Sequence, residues 1–379
     1  MHFFVSSLYL FKKLCLLLNN TNNNSNTVYF VFEIKNNKKK LTITSFSNLE
    51  KSYYINTDIH IYIKKHTEKK IIIHSKFITD ILSTLTKEII CIKKEKNVLN
   101  ILSFQGSFKI PIIQKKFNIS KKSLLNKNNK MYILSNILLK VLNNILSYVE
   151  KIKLFQNIIS GIYFHFSKNE SNFFFTNNFI LVKYTVKYIK FEDVKFFIPK
   201  NTVNILHNFL KYDKNHYNIK IKYNSKTIIF FLKNYSFTSK LLDNKKYKNY
   251  NFFIPKVKFD VLFIINRILF LNTIKRLFIL SDKKIIKFFY LKIMNGKLSI
   301  LNQNNCCSLQ INCKYIFFNS LNKKIKMGFN YQFIIDILSH LKNDFIYFEL
   351  YNSNKMGILK TKPNQKIKEF ISILIMSIM

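Results

Sequence analysis

The chain has 379 residues, a formal net charge of +43 and 48% apolar residues, so it is long enough to bury more than one core. Its five glycines are widely spaced, which excludes the glycine-rich loops that hold phosphates. The five cysteines include no C-x-x-C pair, so we expect neither a disulfide framework nor a zinc site nor another cofactor. A reducing, cytoplasmic location fits this cysteine usage.

The positive charge reflects composition as well as function. Lysine, asparagine, isoleucine and phenylalanine are abundant, whereas alanine is absent and only Arg267 and Arg276 are arginines. The abundant residues have AT-rich codons, so a mutational bias contributes to the charge. A basic chain of this kind favours a nucleic-acid partner. The part of the charge that comes from the mutational bias is not evidence for such a partner.

The first stretch of the chain, 1–18, is apolar and resembles a secretion signal. Lys12 and Lys13 interrupt it and no small-residue cleavage site follows, so we interpret Ser7–Leu18 as a short amphipathic helix. The longest uncharged apolar run, Phe370–Met379, is half as long as a membrane span. The sequence therefore predicts a soluble protein with no membrane partner.

An internal repeat organises the rest of the chain. FITDILSTL at Phe77–Leu85 and FIIDILSHL at Phe333–Leu341 are similar, with apolar residues at helical spacing, and they lie two periods of about 128 residues apart. A third copy is expected near residue 205, where Thr202–Leu210 reads TVNILHNFL. The sequence therefore predicts that the chain consists of three similar thirds.

Other elements follow the same period. Each third opens on an amphipathic stretch, which predicts a helix at Ser7–Leu18, Ser135–Val149 and Phe259–Leu277. A strand–turn–strand pattern follows each of them, at Tyr29–Ser45, Ile162–Phe175 and Phe288–Leu301. Lysine- and asparagine-rich stretches at Ser120–Lys130 and Asp243–Asn251 separate the thirds. We therefore predict three domains, 1–126, 127–250 and 251–379.

Two helices and many strands per unit predict an α+β fold in which helices pack on antiparallel sheets. An unpaired sheet edge exposes backbone groups that can pair with other chains and cause aggregation. Head-to-tail association of two chains would pair these edges by closing a ring. Each chain would form half of that ring. Twelve helices would then line a hole roughly 25 Å wide, which admits a nucleic-acid duplex.

Several short motifs, in order and at consistent spacing, carry a family resemblance. They include FTSKL at Phe237–Leu241, Ile254-Pro255-Lys256, Ile279-Leu280-Ser281-Asp282, Gly328-Phe329-Asn330 and the apolar ending Leu374–Met379. Over essentially its whole length the chain resembles the bacterial sliding clamp, the beta subunit of DNA polymerase III.

The resemblance implies a non-catalytic processivity protein. Such a clamp is a homodimeric ring that encircles double-stranded DNA without reading its sequence. It tethers the catalytic subunit of DNA polymerase III, and a clamp loader opens it. A basic protein that coats nucleic acid without closing a ring is the alternative from another class.

The family's pocket for partner peptides lies between the second and third domains. Carried over by resemblance, its residues are Ile159, Thr176, Asn178, Phe179, Ile180, Leu181, Phe253, Leu374, Met376, Ser377 and Ile378. Asn178-Phe179-Ile180 stands where the family has Gly-His-Arg, and Ser377 replaces a proline. The resemblance thus implies a pocket that is retained but less polar.

Two further sets of residues follow from the resemblance. The dimer interface would bring Phe108 and Ile110 of one chain against Ile279 and Leu280 of the other, and Gln105 and Ser107 stand at the family's arginine positions. DNA contacts would come from basic residues of the inner helices and adjoining loops, namely Lys12, Lys13, Lys76, Lys140, Lys200, Lys275 and Arg276.

Candidates for catalysis are few. Asp80 and Asp336 occupy corresponding positions of the repeat, and His207 and His340 have no acidic partner in sequence. His165 alternates with aromatic residues in a predicted strand. We find no nucleophile–base arrangement and expect no catalytic residue.

Overall fold

The computed structural model describes most of the chain. The described residues are 1–19, 28–34, 39–47, 53–65, 70–114, 129–151, 161–176, 179–189, 191–212, 216–243, 254–255, 257–280, 287–294, 297–304, 306–318, 326–361 and 369–378. Within them, no helix is long and apolar enough to cross a membrane. In the first and third of the predicted strand–turn–strand patterns, the expected turns are at Asn36-Asn37 and Asn295-Gly296, and both lie outside the described residues.

The described chain contains helices and antiparallel strands, as the predicted α+β class requires. The helices are α1 (Ser7–Asn19), α2 (Ser75–Thr84), α3 (Ser135–Lys151), α4 (Lys200–Tyr212), α5 (Arg267–Ile279) and α6 (Tyr331–His340). The strands are β1 (His2–Ser6), β2 (Val28–Ile34), β3 (Lys40–Ser47), β4 (Tyr53–His60), β5 (Tyr62–Lys65), β6 (Lys70–His74), β7 (Ile89–Glu95), β8 (Val98–Ser103), β9 (Gly106–Pro111), β10 (Asn129–Leu134), β11 (Gly161–Phe166), β12 (Ser171–Thr176), β13 (Ile180–Val186), β14 (Val194–Pro199), β15 (Asn218–Tyr223), β16 (Thr227–Phe231), β17 (Tyr235–Lys240), β18 (Val261–Asn266), β19 (Phe288–Met294), β20 (Lys297–Asn302), β21 (Ser308–Ile311), β22 (Lys314–Phe317), β23 (Lys326–Asn330), β24 (Phe345–Tyr351), β25 (Met356–Thr361) and β26 (Glu369–Met376).

The predicted repeat is confirmed by element order and by strand pairing. A strand leads directly into the first helix of each third, as β1–α1, β10–α3 and β18–α5, and into the second, as β6–α2, β14–α4 and β23–α6. The strand before each first helix pairs with the strand after each second helix, as β1 with β7, β10 with β15 and β18 with β24. One supersecondary pattern thus occurs three times.

The repeated helix motif buries equivalent side chains. Ile78 and Leu82 of α2 are buried, and so are Ile334 and Leu338, their counterparts in α6. In α4, Val203, Leu206 and Leu210 are buried. The predicted third copy is therefore confirmed as a helix that packs with an apolar face.

The predicted helix over Phe259–Leu277 is wrong in its first part. Val261–Asn266 forms β18, in which Val261, Phe263 and Ile265 are buried while their neighbours are partly exposed. This alternation has the two-residue period of a strand. The helix begins at Arg267, where the side chain of Asn266 accepts a hydrogen bond from the backbone nitrogen of Leu269 over 3.0 Å.

The chain divides into two compact units, each with two sheets. The first unit comprises residues 1–140 and 201–241 and has sheets ordered β5-β1-β7-β8-β9 and β10-β15-β16-β17-β4-β3-β2-β6. The second comprises residues 141–200 and 242–379 and has sheets ordered β14-β11-β12-β13-β26-β25-β24-β18-β22 and β21-β20-β19-β23. The middle third of the chain thus contributes strands to both units.

Candidate functional site

The C-terminal strand β26 lies in the middle of the nine-stranded sheet of the second unit. It pairs with β13 on one side, where Leu374 faces Leu181, and with β25 on the other, where Leu374 faces Ile358. Hydrogen bonding on both edges fixes the register of the strand. The final residues therefore leave the sheet at a defined position.

An apolar cluster lies beneath this end of β26. Six side chains, none more than 8% exposed, form it: Phe174, Leu181, Tyr351, Met356, Ile358 and Leu374. Tyr163, Ile254 and Phe259 pack against the cluster and are only partly buried. The cluster is thus partly open to solvent through these three side chains.

The last residue of β26 and the two residues after it are held by hydrogen bonds to three other segments. The backbone nitrogen of Met376 donates to the carbonyl of Phe179 over 3.0 Å, and that of Ser377 donates to Lys355 over 2.8 Å. The carbonyl of Gly328 accepts from the backbone nitrogen of Ile378 over 3.0 Å. An ordered backbone therefore presents the side chains of this segment.

The side chains of Phe179, Met376 and Ile378 form an exposed apolar rim. Phe179 is 59% exposed, and Met376 and Ile378 are each 39% exposed. The Phe179 ring also contacts Phe333 of α6, with ring centroids 6.2 Å apart. Apolar side chains exposed on a fixed backbone are a suitable surface for the apolar residues of a peptide, and methionine adapts to different ligands.

The structure brings the described residues of the predicted pocket together. Thr176 and Leu181 face each other across β12 and β13, and the Thr176 hydroxyl donates to the Ile180 carbonyl over 2.8 Å. Ile159, Asn178 and Phe253 lie outside the described residues.

Sequence reasoning missed the base of the surface, which includes Phe174, Tyr351, Met356 and Ile358. Each of them lies in an apolar stretch of a strand. That signal does not reveal which strands meet.

The seven basic residues predicted to contact DNA all lie on helices. Lys12, Lys13, Lys76 and Lys140 belong to the first unit, and Lys200, Lys275 and Arg276 belong to the second. Most of these side chains are exposed, whereas Lys13 and Lys200 are half-buried. Burial lowers the pKa of Lys13. The exposed members are accessible to a phosphate backbone.

The four residues predicted for the dimer interface differ in exposure. Phe108 is half-buried, while Ile110 is 1% exposed and already packs within its own unit. Both lie on β9, the last strand of its sheet. Ile279 and Leu280, at the end of α5, are 79% and 60% exposed. The two exposed side chains are the ones free to bury new apolar area.

The ionisable residues considered for catalysis make local contacts. Nε2 of His165 lies 2.8 Å from Oδ1 of Asp193, and Nζ of Lys195 lies 3.4 Å from the other carboxylate oxygen. The hydrogen bond from His165 lowers the pKa of Asp193. Nδ1 of His340 lies 2.6 Å from the backbone carbonyl of Asp336. Among the described residues, no group of three or more His, Cys, Asp or Glu is placed to hold a metal.

Comparison with known proteins identifies the family. Two family models match the chain: the central domain of the DNA polymerase III beta subunit over residues 133–247, and its C-terminal domain over residues 253–374. The Beta sliding clamp of Mycoplasma capricolum is 23% identical over 347 residues, covering 85% of this chain and 84% of that protein.

Solved structures support the fold. The DNA polymerase III beta subunit of Pseudomonas aeruginosa matches with a TM-score of 0.74 at 18% identity, over the full length of both chains. The sliding clamp of Bacillus subtilis matches with a TM-score of 0.71 at 16% identity, over 100% of this chain and 99% of that one. The chain belongs to the DNA polymerase III beta subunit family, the bacterial sliding clamps, whose members are processivity factors and not enzymes.

Proposed function

We propose that this chain closes around duplex DNA as a head-to-tail homodimer and tethers the replicative DNA polymerase to it. Membership of the clamp family is the observation that carries this proposal. The ring would hold DNA by enclosure, so tight binding to any one sequence is unnecessary. We infer that the protein works in the cytoplasm with the catalytic subunit of DNA polymerase III and a clamp loader.

The arrangement of basic residues supports sliding on DNA. The seven candidate residues lie on five different helices, and phosphate contacts require positive charge without any base recognition. A surface that reads no bases lets the ring move along the duplex.

Two features support closure by a second copy of the chain. The β9 strand ends its sheet, and a sheet that ends on an edge strand can be extended by a strand of a partner. The exposed side chains of Ile279 and Leu280 would gain from burial in such an interface. We propose that these elements meet head to tail.

The rim of Phe179, Met376 and Ile378 is our proposed docking surface for polymerase and loader peptides. Its base is apolar and its described members carry no charge, so apolar peptide side chains would be the main anchors. We expect the peptides that bind here to be less polar than those of family members that have Gly-His-Arg at 178–180.

Loading onto circular DNA tests the proposal. The protein is loaded on a nicked circular plasmid by a clamp loader, washed at moderate salt, and the plasmid is then cut once. A closed ring stays on the intact circle and is lost from the cut plasmid, because it slides off the ends. Equal retention on both forms would contradict enclosure and favour a protein that coats nucleic acid.

A further inference from the structure

The first unit contains a cavity that is separate from the surfaces proposed above. Lys13 is the one residue that it shares with them. The cavity lies between α1, α4 and the β16–β17 hairpin, and its volume is about 280 Å³. Its lining residues include Lys13, Phe209, Tyr212, Tyr217, Lys233 and Tyr235. The volume is near the lower limit of about 300 Å³ for ligand pockets, which suits one flat ring and little more.

Aromatic side chains form much of the wall. The rings of Phe209 and Tyr235 contact each other, with centroids 5.0 Å apart. Tyr212 is 69% exposed, so one of its faces is open to a ligand. Every nucleobase has a π-face that stacks on such a ring, with little dependence on the identity of the base.

The charge of the cavity is positive. None of its lining residues is acidic, and two of them are the lysines Lys13 and Lys233. Nζ of Lys13 lies over the Tyr235 ring, 4.8 Å from the ring centroid. Burial lowers the pKa of Lys13, since an ammonium group is costly to remove from water. An anion at the mouth would draw this ammonium outward and uncover the ring.

The hydroxyl of Tyr235 is a buried polar group that nothing in the described chain satisfies. Its oxygen is shielded from solvent and has no hydrogen-bond partner among the described residues. Burial raises the pKa of Tyr235 to about 12, so the hydroxyl is protonated at neutral pH and can donate. A buried donor without an acceptor is rare and calls for an explanation.

We propose that this cavity binds one unpaired nucleotide of single-stranded DNA. The base enters between the tyrosine rings and stacks on Tyr212. Once Lys13 has moved outward, a carbonyl oxygen of the base accepts a hydrogen bond from the Tyr235 hydroxyl. Lys13 and Lys233 contact the flanking phosphates. Thymine suits the site because it offers carbonyl acceptors on a single small ring.

This site goes beyond enclosure of duplex DNA, since a duplex offers no unpaired base. It would hold the protein near the single strand of a primed template. The site lies within one unit of one chain, so it does not require a closed ring. Linear oligonucleotides therefore test it independently of the circle experiment.

The test compares a short oligothymidylate with an abasic oligomer of the same length, both fluorescently labelled, by anisotropy at moderate salt. The abasic oligomer keeps the phosphates and removes the bases, so it reports the electrostatic part alone. We expect the oligothymidylate to bind at least about fivefold more tightly, as expected for one stacked base. Tyr212→Leu should abolish that difference.

Two variants distinguish recognition from a structural role. Tyr62→Leu is the matched control, because Tyr62 is 68% exposed in the same unit and lies outside the cavity. Tyr235→Phe removes only the unsatisfied hydroxyl, so it should weaken oligothymidylate binding without lowering the urea midpoint of unfolding. A 5-iodouracil oligomer should crosslink to Tyr212 or Tyr217 on irradiation.

Three results would overturn the proposal. Equal affinity for the oligothymidylate and the abasic oligomer would remove the base from the interaction. An equal loss of oligothymidylate affinity in Tyr212→Leu and Tyr62→Leu would show that the base does not bind in the cavity. Binding of thymidine monophosphate without binding of the oligomer would show that the cavity cannot accept a nucleotide within a strand.

Discussion

The side-chain hydroxyl of Ser377 donates a hydrogen bond of 3.0 Å to the backbone carbonyl of Gly328. The same carbonyl accepts from the backbone nitrogen of Ile378. Gly328 lies on β23, so these two bonds attach the end of the chain to the four-stranded sheet of its unit. They hold Met376 and Ile378 at the rim of the apolar surface.

Replacing Ser377 by alanine should weaken peptide binding more than it weakens the fold. The loss of one side-chain hydrogen bond costs about 1 kcal/mol, which corresponds to about fivefold in peptide affinity if the rim loses its order. Fluorescence polarisation with a polymerase-derived peptide measures this. Ser83→Ala, at an exposed serine of α2, is the control. An unchanged affinity would show that the bond does not order the rim.

A negative charge introduced directly after α5 should separate the proposed dimer. Leu280 is 60% exposed, so Leu280→Asp should leave the unit folded while preventing apolar burial against a partner. Losing one buried leucine should raise the dimer dissociation constant about tenfold or more. Sedimentation across a concentration series measures this change.

The same helix offers a control for that experiment. Ile268 lies near the start of α5 and is 52% exposed, so Ile268→Asp introduces the same charge away from Leu280. Dissociation by both variants alike would argue against a specific contact at Leu280. A monomeric unsubstituted protein at micromolar concentration would contradict the dimer itself.

The helix lysines should determine how salt affects DNA binding. Each phosphate contact that is lost reduces the slope of log affinity against log salt by about one. The triple variant Lys12→Gln, Lys76→Gln and Lys140→Gln should therefore lower the slope by up to about three. Titrations at several salt concentrations measure it.

A matched triple variant removes the same charge from other exposed positions of the first unit, namely Lys70, Lys87 and Lys226. It should leave the slope closer to that of the unsubstituted protein. Equal slopes for the two triple variants would mean that the helices are not the DNA-contacting surface.

Alkaline pH should destabilise the second unit through Tyr184. This tyrosine is 3% exposed, and its hydroxyl donates to Oε2 of Glu369 over 2.7 Å. Burial, followed by the bond to Glu369, raises its pKa. The neutral phenol is therefore favoured by folding. The contribution of Tyr184 to stability is complete below the unfolded pKa of about 10. It decreases as the pH rises from that value toward the higher pKa of the folded state.

Tyr184→Phe should flatten that alkaline decline. It should also lower the free energy of unfolding at neutral pH by about 1.5–3 kcal/mol, because Glu369 loses a donor. Urea unfolding across pH 8 to 11, a range that brackets the tyrosine pKa of about 10, measures both effects. Tyr132→Phe, at a side chain 52% exposed, should change neither. If the free energy of unfolding of Tyr184→Phe declined with pH as steeply as that of the unsubstituted protein, Tyr184 would contribute little to the decline.

Much of this protein follows from local patterns in its sequence. The repeated apolar spacing at Phe77–Leu85, Thr202–Leu210 and Phe333–Leu341 predicted three helices, and each of them buries an apolar face. A helix closes its hydrogen bonds within a few residues, so its pattern can be read from a short stretch. The resemblance motifs then connected this order of elements to a family.

Only the tertiary structure decided which distant strands meet. Leu181 faces Leu374 across β13 and β26, and Phe237 faces Ile55 across β17 and β4, pairs nearly two hundred residues apart. Apolar alternation gives the face of a strand but not its neighbour, because many strands here share the same alternation. The apolar surface under Met376 and the aromatic cavity beside Lys13 depend on such long-range contacts, so neither could be assembled from the sequence by itself.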